Sequence, residues 1–349
     1  MKTLAIGLMS GTSLDGLDIC LAEFEKKDRW HFQILKAETL PYPTDWENKL
    51  KNSIHISAAD LLELHSEYGF YLGQKTKAFI EKHQLENIDL IASHGHTVFH
   101  QPQRKFTLQI GDGRAITIEN NIPVVYDFRS QDVLMKGNGA PLVPIGDELL
   151  FSQYDACLNL GGFSNISLHA QGKRIAFDIS PANIVLNHLA RQLNENFDEN
   201  GDLAKKGEIN EDLLMQLNAL DFYQLPHPKS LGLEWCHQHV FPKLNSIPPL
   251  NALATFTEHI AQQIAEVINE NNIKDILITG GGAYNTFLIE KLKEKTKAEI
   301  IIPEKEIIEY KEALIFAFMG VLKMNNEINV LSSATGSIYD HSSGVIARI

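Results

Sequence analysis

One pattern occurs twice in this chain, and any fold must accommodate both copies. Thr3 to Met9 is a run of mostly apolar residues, Ser10 to Ser13 is a tight polar turn, and Leu17 to Phe24 resumes with Leu17, Ile19, Leu21 and Phe24 apolar. That spacing predicts a β-hairpin with glycines at its tip. Roughly one domain length further on, Ala156 to Leu160 is apolar, Gly161-Gly162-Phe163-Ser164-Asn165 is a turn, and Ile166 to Leu168 resumes a strand. The chain reads as two related halves. Its 349 residues also suggest two domains, and a division into 1–145 and 146–349 would give each half its own hairpin.

Between the hairpins, Ser57 can cap a helix that carries Leu61, Leu64, Tyr68, Leu72, Phe79 and Ile80 on one face. Strands are expected at Ile88 to Ser93, Thr107 to Ile110 and Pro123 to Tyr126. They run into the polar clusters His94-Gly95-His96-Thr97, Gly111-Asp112-Gly113-Arg114 and Asp127-Phe128-Arg129. Polar groups at strand ends mark the usual ligand edge of an α/β sheet. In the second half, Asn251 is the expected cap of a helix bearing Leu253, Phe256, Ile260, Ile264, Val267 and Ile268. Asp275 to Thr279 is the expected strand before Gly280-Gly281-Gly282, and Ala283 to Lys295 should be helical. Five prolines make 224–250 an expected irregular connection, and Glu312 to Lys323 returns to a helix.

Charge and cysteine usage narrow the partners. The net charge of −13 argues against nucleic acid or an anionic membrane, which both need dense Lys and Arg. Three cysteines, Cys20, Cys157 and Cys236, form no CxxC pair, which argues against a disulfide scaffold or a thiolate zinc site. The short N-terminal apolar run is broken by Gly7, Ser10 and Gly11, unlike a signal peptide, and no apolar window reaches membrane-span length. A cytoplasmic protein is expected.

Several clusters can carry chemistry. Gly11-Thr12-Ser13-Leu14-Asp15-Gly16-Leu17-Asp18 offers close backbone approach, two hydroxyls for phosphate oxygens, and Asp15 and Asp18 for Mg²⁺, directly or through water. It lacks the lysine of a GxxxxGK[ST] loop, and the same residues would also serve a plain hairpin turn. Gly280-Gly281-Gly282, between a strand and a helix, would favour an anion or nucleotide, although a tight turn needs the same residues. Asp178, at the end of the apolar run Ile175 to Phe177, can be a general base or an N-cap or Asx turn ahead of Pro181. Arg129 can fork onto a substrate carboxylate or sit in a structural ion pair. His94 and His96 have no supporting carboxylate or Cys for a metal, so hydrogen bonding to a polar substrate suits them better.

Gly7-Leu8-Met9-Ser10-Gly11-Thr12-Ser13-Leu14-Asp15-Gly16-Leu17-Asp18 resembles the opening signature of the anhydro-N-acetylmuramic acid kinases. The resemblance continues in order through Ser93-His94-Gly95-His96-Thr97, Gln109 to Gly113, Asp127-Phe128-Arg129 and Gly139 to Pro144. It extends over Asn159-Leu160-Gly161-Gly162, Asn200-Gly201-Asp202, Pro228-Lys229-Ser230, Gly280 to Ala283 and Glu312-Ala313-Leu314. It implies the two-domain α/β fold of the sugar kinase, Hsp70 and actin superfamily, with ATP in the interdomain cleft.

The implied reaction phosphorylates the sugar at O6 while water opens the 1,6-anhydro ring, giving N-acetylmuramic acid 6-phosphate for cell-wall recycling. Carried across, Gly11 to Asp18, Gly161, Gly162 and Gly280 to Gly282 would face ATP and Mg²⁺, and Asp178 would be the catalytic base. Ser93, His94, Arg129, Asn183 and Glu312 would line the sugar site, with Arg129 on the lactyl carboxylate. A homodimer is implied as well. The family pattern Phe-Asp-Thr-Gly-Pro-Gly-Asn is here Phe177-Asp178-Ile179-Ser180-Pro181-Ala182-Asn183, with Asn187 where a further Asp is usual. His96 and Asn138 each replace a Gln, and Leu233 replaces an Arg. Those departures leave a paralogous kinase for a different sugar open, and clefts of this fold also occur in non-enzymatic nucleotide-binding modules. None of the three glycine turns contains Lys or Arg, so ATP binding is expected to depend on the metal.

Overall fold

The computed structural model describes every residue except Met1, Thr12, Ser13 and Asp15. It divides into two compact units, Met1–Phe151 with Tyr310–Ile349, and Ser152–Glu309. The expected single cut after residue 145 therefore differs in two ways: the first unit runs on to Phe151, and the C-terminal stretch returns to it. The return follows from packing of the helix Lys305–Met324 on the first sheet. A Cβ on Gly7 would fall 1.8 Å from the Ala313 carbonyl oxygen, and one on Gly320 would fall 2.7 Å from the Ala92 Cβ. Only bare backbone lets helix and sheet approach this closely.

The first unit contains β1 (Lys2–Ser10), β2 (Leu17–Lys26), β3 (Trp30–Leu40), β4 (Leu90–Ser93), β5 (His96–Gln101), β6 (Phe106–Ile110) and β7 (Val124–Tyr126). The second contains β8 (Ala156–Leu160), β9 (Phe163–Ala170), β10 (Lys173–Pro181), β11 (Asp275–Thr279) and β12 (Glu299–Ile301), and β13 (Val345–Ala347) belongs again to the first. The large sheet of the first unit has the order β13-β7-β4-β1-β2-β3, and the sheet of the second has the order β10-β9-β8-β11-β12. β1, β2 and β3 are antiparallel neighbours while β1, β4 and β7 are parallel. β8, β9 and β10 are likewise antiparallel, and β8, β11 and β12 parallel. Both hairpins expected from the repeated pattern form, and each is the start of the same five-stranded arrangement.

Ile6, Leu8, Leu17, Ile19 and Ile91 face the long helix Ala58–Lys82 across the first core, and Ser57 caps that helix by accepting the Asp60 N–H. The second core gathers Leu158, Ile166, Ile276 and Ile278 against Phe256, Ile260 and Ile264 of the helix Pro249–Glu270. Each such side chain contributes about 1.5–3 kcal/mol by leaving water.

Two local expectations are corrected. Asn251 is not the cap: Pro249 occupies the first turn, where its missing N–H costs nothing, and the Asn251 side chain accepts the Glu208 N–H instead. The stretch 224–250 is less irregular than its prolines suggest, because the helices Leu233–His239 and Phe241–Leu244 fall between them, with Pro242 in the first turn of the latter.

Candidate active site

In the second unit, the functional groups collect at the ends of β8, β10 and β11. β8 and β11 are parallel neighbours, paired up to Asn159 and Thr279, so the glycine turns that follow them lie side by side. A Cβ on Gly280 would sit 2.4 Å from Asn159 Oδ1 and 2.9 Å from the Leu160 carbonyl carbon, and Gly280 has a φ of +82°. Gly282 packs on Leu160 in the same way. Gly281 is different: a Cβ there would meet nothing closer than 4.0 Å.

The element after this turn corrects the expected helix at Ala283. Gly281–Tyr284 is a single 3-10 turn, and the α-helix begins only at Thr286, capped by the Asn285 side chain on the Leu288 N–H. The Gly281 and Gly282 N–H groups open that turn and make no hydrogen bond among the described residues. Asn183 braces the neighbouring turn: its Nδ2 donates to the Leu160 carbonyl at 3.1 Å and its backbone N–H to Gly161 at 3.2 Å. Gly161 and Gly162 are thus held by the start of the helix Asn183–Arg191, with Gly162 exposed.

Asp178 lies within β10, beside a bulge that leaves Ile179 without a partner on β9. A bulge re-aims the adjacent side chains. Among the described residues Asp178 caps no helix and closes no Asx turn. Its Oδ2 accepts the Leu231 N–H at 2.7 Å, and its own N–H donates to the Lys229 carbonyl at 3.0 Å. It is half-buried and has no ion-pair partner among the described residues. Burial raises its carboxyl above the ordinary range, with the Leu231 N–H opposing.

In the first unit, Ser93 ends β4 and is fully buried, and its hydroxyl finds no partner among the described residues. The next residue, His94, is also buried. Its Nδ1 faces the Gly95 carbonyl at 2.9 Å and its Nε2 faces Arg129 Nε at 2.9 Å. Since Arg129 can only donate, Nε2 is the acceptor and the proton sits on Nδ1. Burial, reinforced by Arg129, keeps this imidazole neutral far below its usual range.

Arg129 Nη1 also donates to the Gly139 carbonyl at 2.5 Å. The surrounding protein brings the guanidinium down to about 10, so it stays charged at neutral pH. Glu312, on the helix Lys305–Met324, is reached by solvent yet ringed by enough protein that burial raises its carboxyl, with Arg129 opposing.

The β1–β2 tip is described in part. Leu14 has a φ of +61°, and a Cβ on the buried Gly16 would fall 2.6 Å from the Leu40 carbonyl oxygen. Gly11 and Leu14 are partly exposed, and Leu17 is buried. Asp18 Oδ1 accepts the Thr39 hydroxyl at 2.6 Å. Thr12, Ser13 and Asp15, expected at the phosphate and the metal, lie outside the described residues. Among the described residues, no three His, Cys, Asp or Glu side chains gather as a metal centre. His96 joins a buried chain instead: its Nδ1 meets Ser10 Oγ at 3.1 Å, Ser10 accepts from the Tyr42 hydroxyl at 2.8 Å, and Tyr42 meets Tyr68 at 2.6 Å. Asp112, from another strand-end cluster, caps its helix and pairs with Arg114.

Two copies of one mixed sheet, each with glycine turns and polar groups at strand ends, make up the two-domain α/β fold expected from the sequence. The family model for anhydro-N-acetylmuramic acid kinase matches residues 3–348, and the chain belongs to that family. It is 33% identical over 362 residues to the anhydro-N-acetylmuramic acid kinase of Francisella tularensis subsp. novicida, covering 95% of each chain. The enzyme of that name from Clostridioides difficile is 33% identical over 365 residues, again with 95% of each chain covered. Among solved structures, a ROK family glucokinase from Streptomyces griseus in complex with glucose and AMPPNP is matched with a TM-score of 0.41 and 10% identity, over 90% of this chain and 98% of that one.

Proposed function

We propose that this protein is an ATP-dependent kinase that opens the 1,6-anhydro ring of 1,6-anhydro-N-acetylmuramic acid with water and phosphorylates O6. The products are N-acetylmuramic acid 6-phosphate and ADP, in the recycling of cell-wall sugar. Family membership over residues 3–348 supports the activity, and the geometry of Asp178 is the observation that carries the mechanism. Its charge is uncompensated by any cation among the described residues, and one oxygen is anchored while Oδ1 remains for a water. A carboxyl so placed is a general base with a raised pKa.

In the proposed step Asp178 takes a proton from water as the water oxygen bonds to the anomeric carbon. The bond from that carbon to O6 breaks, and O6 accepts the γ-phosphoryl group as the bond to ADP breaks. Arg129, held by His94 and Gly139, binds the lactyl carboxylate, and Ser93, Asn183 and Glu312 complete the sugar contacts. Gly161, Gly162 and Gly280 to Gly282 present backbone to the nucleotide, with the two N–H groups of the 3-10 turn as donors.

Bound Mg²⁺ would neutralise charge on the transferring phosphoryl group. Asp18 fits it as a half-buried carboxylate whose Oδ1 is already oriented by Thr39, and Mg²⁺ commonly rests on one or two carboxylates plus phosphates and waters. We place the reaction in the cytoplasm, in a homodimer; three buried free thiols suit a reducing compartment, and the family resemblance supports the dimer. Incubation with ATP, Mg²⁺ and the anhydro sugar should yield a product heavier by one phosphoryl group and one water. Phosphorylation without the water would overturn the coupled mechanism.

A further inference from the structure

One fully buried carboxylate takes no part in the reaction above. Asp132 is 0% exposed, yet it stands in the helix Ser130–Leu134 just beyond Arg129. Its Oδ2 accepts the Gly139 N–H at 2.7 Å, and its Oδ1 accepts the Thr335 hydroxyl at 2.7 Å. His341 Nε2 lies 3.7 Å from Oδ1. The loop is cut to this carboxylate: a Cβ on Gly137 would fall 2.1 Å from Oδ2, and the Gly137 N–H donates to the Asp132 carbonyl. Gly139 has a φ of +68°, and a Cβ there would fall 2.8 Å from Val133 Cγ2, so its peptide can take few other poses.

Gly139 is therefore gripped at both ends. Its N–H is fixed by Asp132, and its carbonyl receives Arg129 Nη1 at 2.5 Å. Burying a carboxylate costs several kcal/mol unless its partners repay it, and a neutral residue could have closed an ordinary loop. The negative charge additionally supports the charged form of Arg129.

We infer that Asp132 is a positioning residue that sets the Gly139 carbonyl, and through it the Arg129 guanidinium, so that the protein selects sugars bearing a lactyl carboxylate. The inference rests on the reading of Arg129 given above. Thr335, from the C-terminal segment of the same unit, is the brace behind it.

The test compares kcat/KM for 1,6-anhydro-N-acetylmuramic acid with that for 1,6-anhydro-N-acetylglucosamine, which lacks the lactyl group, in the full-length protein. Asp132→Ala should raise the KM for the lactyl sugar about tenfold or more, as expected for a displaced hydrogen bond to a charged group. The preference for the lactyl sugar should shrink in proportion, while kcat stays within about threefold and the KM for ATP is unchanged. Asp132→Asn, which keeps an acceptor for the Gly139 N–H, should restore most of the preference. Should Asp132→Ala fail to fold, Thr335→Val serves, with a smaller shift in the same direction. A folded Asp132→Ala or Thr335→Val protein with full preference, beside an Arg129→Ala protein that has lost it, would overturn the inference. Full preference in Arg129→Ala would instead remove Arg129 from the carboxylate, and the role of Asp132 would fall with it.

Discussion

The two units share a sheet and differ in what stands at its ends. Both run three antiparallel strands into two parallel ones. In the first unit the hairpin closes at Ser10 and Leu17, leaving a long tip, and in the second it closes at Leu160 and Ser164 around Gly161 and Gly162. The third strand of the first unit supplies Thr39, which orients Asp18; that of the second bulges and carries Asp178. The first unit sets a cation, Arg129, against a neutral histidine, whereas the second holds a carboxylate, Asp178, by a backbone N–H, with no cation paired to it among the described residues. Topology thus fixes where strand ends lie, and the residues placed there set the charge and the hydrogen-bonding groups that each end presents.

The sharpest way to break this contrast is to neutralise the carboxylate. Asp178→Asn keeps an acceptor for the Leu231 N–H, so thermal stability and ATP affinity should be close to wild type. Turnover should fall about a thousandfold, within the range of general-base contributions. A rate within tenfold of wild type would remove Asp178 from proton transfer. In the wild-type protein kcat should fall on acidification at a higher pH than an ordinary carboxylate would give, because the protonated form is inert and burial raises the pKa.

Next in size are the glycines, where two neighbours should part company. Gly280→Ala forces a β-carbon to within 2.9 Å of the Leu160 backbone at a φ of +82°. A strained backbone alone costs about 1–3 kcal/mol, so the melting temperature should drop clearly. Gly281→Ala meets no atom nearer than 4.0 Å and should melt as wild type does. If nucleotide lies over this turn, Gly281→Ala should still weaken ATP about tenfold, about 1.4 kcal/mol. Calorimetric titration checks this, and unchanged affinity would move the nucleotide off Gly281.

Those residues show what could be read from the chain alone. The hairpins and glycine turns were legible because an apolar run ending in Gly has few other uses. β3 was not, since the alternation that starts at Trp30 breaks at Leu35 and Lys36, both exposed, where this edge strand slips register against β2. The three-residue strand β12 carries too little pattern to register. At Pro248-Pro249 the helix starts on a residue usually read as a breaker, two positions before Asn251, a residue of the cap-favouring type. Arg129 and His94 could be named, but their mutual hydrogen bond joins β4 to the end of β7, a pairing no local spacing encodes. Asp132 gave no signal, because one acid in a short helix looks solvated until Gly137, Gly139 and Thr335 close over it.

The smallest expected effect compares the buried histidines of the two units. Burial lowers His96 in the first unit to about 4 and His259 in the second to about 3, from an ordinary 6.5. Between those values and 6.5 the unfolded chain binds a proton that the folded chain refuses, so stability is full above about 6.5 and is lost as pH falls. Each such group can remove up to about 1.4 kcal/mol per pH unit. Asp178 has the opposite sign, since a raised carboxyl takes up its proton more readily in the folded state and offsets part of this loss at the acidic end. His96→Gln puts a non-titrating side chain within reach of Ser10, so the variant should match wild type at pH 7 to within about 1 kcal/mol. It should lose less stability than wild type between pH 6.5 and pH 4.5 in urea unfolding, and His259→Gln should behave likewise for the second unit. An identical loss in His96→Gln and wild type would show that His96 does not stay neutral in the fold.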